Sequence, residues 1–134
     1  MLGTGAELLL IGHYESPSQY APLVMLGIGL GVLLWHLTKP GAMALRLVRV
    51  VMISFVILGA VGVGLHVNGN SEFALEMYPA MRGWELTWKT LRGATPVLAP
   101  GTMSLLGLIG LAQTYGHPAI GGAAAHATAG DAES

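Results

Sequence analysis

Residues 47–67, LVRVVMISFVILGAVGVGLHV, decide how this chain folds. No Asp, Glu, Lys or Arg follows Arg49 until Glu72. A bilayer selects gaps of that length, because an ionised side chain at its centre costs about 2.5–3.5 kcal/mol. A helix of about 20 apolar residues crosses its hydrocarbon core of about 30 Å. The spacing therefore predicts a transmembrane helix over 47–67. Arg46 and Arg49 stand at its start, where their stems can snorkel to the headgroups. Asn68-Gly69-Asn70 supplies turn chemistry at its end.

The same test applied outward finds two further runs. Residues 21–37, APLVMLGIGLGVLLWHL, lie in the charge-free interval between Glu15 and Lys39. Pro22 suits a first helical turn, Tyr20 and Trp35 suit the two interfaces, and Lys39-Pro40-Gly41 ends the run. Residues 96–115, PVLAPGTMSLLGLIGLAQTY, lie between Arg92 and Asp131. Here a helix either starts at Thr95-Pro96 and kinks at Pro100, or starts at Pro100 and is short for a full span. The fold class expected is an all-α membrane protein with three transmembrane helices, about 21–37, 47–67 and 96–115.

Composition agrees. Of 134 residues, 53% are hydrophobic and 10% charged, and mean hydropathy is +0.63. Soluble domains carry roughly 25% charged residues, and a domain this small has much surface for its volume. Six basic and seven acidic side chains do not cover that surface. The net charge of −1 gives no electrostatic basis for nucleic-acid binding. The lack of cysteine excludes disulfides, thiolate metal sites, cysteine nucleophiles and CxxCH haem attachment.

Residues 71–93 have another character. Glu72, Glu76, Arg82, Glu85, Lys89 and Arg92 alternate with Phe73, Met77, Tyr78, Trp84 and Trp88. Asn70 or Ser71 can cap a short helix, Pro79 interrupts it, and from Gly83 the residues Trp84, Trp88 and Leu91 share one helical face. Glu85 and Lys89 are spaced as an i,i+4 ion pair. One or two amphipathic surface helices are expected over 71–93, between the second and third spans. Residues 1–19 form an N-terminal interfacial segment. Its run Leu8-Leu9-Leu10-Ile11 has no basic residue before it, so no signal peptide is expected. The membrane domain covers 20–118, and the small-residue tail 119–134 is expected to be disordered. Lys39, Arg46 and Arg49 place the first connection in the cytoplasm of an inner or plasma membrane. The N-terminus and the amphipathic segment are then outside and the C-terminus inside.

Small residues mark contact faces. Gly27 and Gly31 make a GxxxG, and Ala60 and Gly64 repeat the spacing. In lipid such faces let helix backbones approach closely, within the chain or against a partner; glycine is also simply common in membrane helices.

The histidines are the chemistry on offer. His13, His36, His66 and His117 sit near span ends, His13 and His66 on one side and His36 and His117 on the other. Two imidazoles at one depth on facing elements are what bis-histidine haem ligation requires. His13 and Glu15 form an HxE that would add a carboxylate to a metal site. The plainer reading makes each an interfacial polar tip. Trp84 and Trp88 likewise read as interfacial anchors or as walls of a quinone or pigment pocket.

No charge lies deep within a span, which argues against a transporter acting alone. GxSxG, HExxH, P-loop and dinucleotide fingerprints are absent. The expected role is a small non-catalytic accessory subunit of a larger membrane complex. Its expected partners are other integral membrane subunits and the bilayer. Its interface is expected to include Gly27, Gly31, Ala60, Gly64, Trp84 and Trp88. The alternatives are a haem-, quinone- or pigment-binding subunit using the histidines, and a channel or transporter subunit that acts as an oligomer.

Overall fold

The computed structural model describes residues 1–10, 12, 17–93 and 98–117. Among these the chain forms five helices and no strand: α1 (Leu2–Leu10), α2 (Pro17–Thr38), α3 (Ala42–Met77), α4 (Gly83–Leu91) and α5 (Gly101–Thr114). The expected tail 119–134 lies outside the described residues.

Among the described residues two helices, α2 and α3, are long and apolar enough to cross a membrane. Of the two alternatives for 96–115, the structure has the shorter, a helix starting just after Pro100, and the expectation of a third full span is corrected. Helix α5 has 14 residues, about 21 Å at 1.5 Å per residue, against about 30 Å of hydrocarbon. Pro100 is the cause. It has no N–H to continue a helix, and the residues around it make tight i→i+3 turns: Gly101 N–H donates to Leu98 O (3.0 Å), Thr102 N–H to Ala99 O (3.2 Å) and Met103 N–H to Pro100 O (3.0 Å).

The expected break at Asn68-Gly69-Asn70 is also corrected. Helix α3 runs through it for 36 residues, about 54 Å, well past its apolar stretch. Each polar side chain there is satisfied without leaving the helix. Asn68 Nδ2 donates to Glu72 Oε1 at 2.8 Å, one turn on, and Ser71 Oγ donates to Asn68 O at 2.8 Å. Asn70 is buried and its Nδ2 donates to Thr90 O at 3.0 Å. Packing thus overrides a weak local preference. Neither Asn70 nor Ser71 caps a new helix. The break falls at residues 78–82, around Pro79, and α4 begins at Gly83 with φ +60°.

The chain divides into two compact units, residues 1–55 with 106–134 and residues 56–105. In the first, α1 packs against α2. Leu26, Leu45, Val48, Met52 and Phe55 form the core, and Phe55 is wholly buried. Phe55 fits because Gly29 has no side chain: a Cβ there would stand 2.8 Å from Phe55 Cζ. Gly110 of α5 receives Met52 of α3 in the same way. Arg49 closes the end of α5, donating from its guanidinium to Thr114 O at 2.5 Å and from Nε to Thr114 Oγ1 at 3.3 Å. It therefore caps a helix C-terminus, where a cation is favoured.

In the second unit the start of α5 lies on Gly59 and Gly62 of α3. A Cβ at Gly62 would meet Pro100 Cβ at 2.7 Å, and Ser104 Oγ donates to Val56 O at 3.0 Å. Gly93 seats the Asn70 amide, whose Nδ2 is 2.6 Å from where a Cβ would be.

Candidate functional site

Two arrangements gather the chemistry-bearing residues, one in each unit. The first is a histidine corner. His36 lies in the last turn of α2. Helix α5 ends at Thr114, and Gly116 adopts φ +67°, a left-handed turn that favours glycine at a helix end. His117 N–H then reaches back to Thr114 O at 3.4 Å. This turn brings the His117 ring to His36, with ring centres 6.4 Å apart and planes at 74°. Arg49, on Thr114, anchors the same stretch. His36 Nδ1 is buried and makes no hydrogen bond. A buried polar atom without a partner is uncommon and destabilising. Pairing across 81 residues is not readable from local spacing; only the shared depth of two span ends hinted at it.

Of the other histidines, His66 stands on α3 between Gly62 and Asn70, and its Nδ1 is likewise buried without a partner. His13 and the HxE with Glu15 lie outside the described residues. Among the described residues no group of three His, Cys, Asp or Glu could hold a metal ion.

The second arrangement is an open groove on α4 and the turn before it, about 720 Å³, lined by Tyr78, Trp84, Glu85, Trp88, Lys89 and Arg92. Trp84 and Trp88 stack with ring centres 6.0 Å apart, one helical turn apart in sequence. Lys89 Nζ lies 5.2 Å over the Tyr78 ring and the Arg92 guanidinium 4.7 Å over Trp88. The expected Glu85–Lys89 ion pair gives way to these cation–π contacts, which compete well at an exposed site where ion pairs contribute little. Aromatic and charged side chains line the same groove. Trp84 remains 74% exposed.

The small-residue faces split into two sets. Gly27, Gly31, Ala60 and Gly64 are exposed, and a Cβ at any of these glycines would meet nothing within 4 Å. The glycines that seat neighbouring side chains or backbone are Gly29, Gly59, Gly62, Gly93 and Gly110. The GxxxG spacing did not distinguish the two sets, since both occur on the same helices. No protein-family profile matches this chain, and no curated protein or solved structure shows significant similarity to it.

Proposed function

We propose that this chain is a small integral membrane subunit that docks laterally onto other membrane proteins. The carrying observation is that the two long helices turn their apolar side chains outward. Only 17% and 22% of their apolar windows are buried within the chain. Val24, Ile28 and Leu34 on α2 and Val50, Ile57, Val61 and Leu65 on α3 are all exposed. Water tolerates contiguous apolar patches of only a few hundred Å², whereas lipid or a partner helix covers such a surface. Gly27, Gly31, Ala60 and Gly64 belong to this outward surface, where a second backbone can approach closely. The polar end of α3 and the groove on α4 extend the contact into the interface, with Trp84 and Trp88 as anchors. Lys39, Arg46 and Arg49 mark the cytoplasmic end of the first two helices in this reading.

Co-purification of the tagged full chain in mild detergent tests it. Gly31→Leu with Gly64→Leu, and Trp84→Ala with Trp88→Ala, are expected to reduce partner recovery severalfold while the chain stays in the carbonate-resistant membrane fraction. Among the described residues a Cβ at either glycine would meet nothing within 4 Å, so the chain's own fold should survive. Extraction by carbonate alone would refute the membrane reading. Undiminished partner recovery in both double variants would refute the docking reading.

A further inference from the structure

We propose that the groove on α4 holds one phospholipid with a phosphoethanolamine headgroup. The inference rests on the membrane reading above and names the lipid class that this part of the chain meets. Three observations within the second unit carry it, and the first is depth. Asn70 Nδ2 donates to Thr90 O at 3.0 Å, and Gly93 seats the same amide. Asn70 lies three residues, about 4.5 Å along α3, past Val67, where the apolar stretch ends. Pro100 meets Gly62, five residues and about 7.5 Å before that end. The C-terminal end of α4 is therefore level with the edge of the apolar stretch, and the start of α5 lies within it. In a bilayer that edge is where headgroups sit.

The second observation is a set of charges that the fold leaves unmatched. Lys89 Nζ lies over Tyr78 and the Arg92 guanidinium over Trp88, and a ring face neutralises no charge. Among the described residues these two cations and the Glu85 carboxylate line the groove without a counter-charge. Glu85 precedes Lys89 by one turn, about 6 Å along the helix. A phosphodiester with a primary ammonium two carbons away has the complementary pattern. Its phosphate oxygens accept from Lys89 and Arg92, and its ammonium donates to Glu85. A purely anionic headgroup would meet Glu85 as a like charge. The third observation is the arrangement of the indoles. A quaternary ammonium is held by aromatic rings boxed around it. Trp84 and Trp88 instead stack on each other, with ring centres 6.0 Å apart and planes at 23°, and Arg92 covers Trp88, so no box is open. The groove's volume of about 720 Å³ lies within the range of about 300–1,000 Å³ for small-molecule sites. Trp84, largely exposed, offers apolar surface to the acyl chains.

The test uses the full chain, delipidated in detergent and incubated with an equimolar mixture of phosphatidylethanolamine, phosphatidylglycerol and phosphatidylcholine of identical acyl chains. After repurification the retained lipid is quantified by mass spectrometry. Wild type should hold one phosphatidylethanolamine per chain, enriched about two- to fivefold over each competitor, the range that one exposed ion pair supplies. Glu85→Gln should lose that enrichment and shift toward phosphatidylglycerol. Lys89→Gln with Arg92→Gln should lower the retention of all three lipids by at least the same factor. Arg46→Gln, an exposed cation outside the groove, should match wild type, and circular dichroism checks that every variant keeps its helicity. Equal retention of the three lipids by wild type would overturn the proposal. So would a preference for phosphatidylglycerol, which would make the groove an anion site, or for phosphatidylcholine, which would make it an aromatic box. Undiminished selectivity in Glu85→Gln, or undiminished retention in the Lys89 and Arg92 double variant, would overturn it too. Displacement of the lipid by an equal concentration of soluble glycerophosphoethanolamine would overturn the lipid as the occupant. Release of the chain from membranes by carbonate would instead refute the membrane reading, so the two fail separately.

Discussion

Gly59→Ala adds one methyl group where the second unit has no room for it. A Cβ at Gly59 would stand 2.5 Å from Ser104 N and 2.9 Å from Pro100 O, and closer still to Ser104 Oγ. Comfortable contacts begin near 3.5 Å, so the first turn of α5 must withdraw by roughly 1 Å. Two of the three obstacles are backbone atoms, which cannot swing aside as a side-chain end would. The withdrawal also breaks the bond from Ser104 Oγ to Val56 O. Overpacking of this kind costs about 1–3 kcal/mol, and an interhelical hydrogen bond in a membrane contributes about 0.6 kcal/mol more. Against this, replacing a helical glycine by alanine gains up to about 1 kcal/mol. Gly64→Ala, four residues on in the same helix, gains the same term and meets nothing within 4 Å. The two variants should therefore differ by about 2–3 kcal/mol, roughly 30- to 150-fold in the folding equilibrium. The assay is unfolding of the purified chain in mixed micelles of rising SDS fraction, followed by circular dichroism and tryptophan fluorescence. Coincident transitions for the two variants would show that α5 does not rest on Gly59.

Two further expectations concern polar latches. Asn70→Ala removes the amide bond to Thr90 O, which keeps the Gly93 N–H as its other donor, a loss of about 0.5–1.5 kcal/mol, so amide exchange across α4 should accelerate by about two- to tenfold while the apolar part of α3 is unaffected. Unchanged exchange in α4 would mean that Asn70 does not hold it. Arg49→Met removes both contacts to Thr114, each to a charged donor and together about 1.5–3 kcal/mol, so exchange should rise at residues 111–114, whereas Arg46→Met, at an exposed position, should leave it unchanged. Equal exchange in the two variants would refute the cap.

The charge-free runs around 21–37 and 47–67 determined the two long apolar helices without any tertiary information, because a helix satisfies its own backbone and a bilayer requires only length and apolarity. Pro79 and Pro100 likewise mark local breaks, since each lacks the N–H that would continue a helix, whereas Pro22, expected in a first turn, lies six residues into α2 without ending it. What the sequence left open was every feature that depends on a partner distant in the chain. Asn68-Gly69-Asn70 has turn composition, yet it stays helical because Asn70 meets Thr90 and Gly93. Glu85 and Lys89 have ion-pair spacing, yet Lys89 lies over Tyr78. Gly27 and Gly59 look alike in the sequence, but only the latter has Ser104 against it. His36 and His117 become neighbours only once α5 has folded back along α3 within their unit and Gly116 has turned the chain. Local pattern reports hydropathy, period and backbone freedom, which are properties of one segment. Which glycine is filled, which amide is satisfied and which imidazoles meet are properties of pairs, and packing alone decides them.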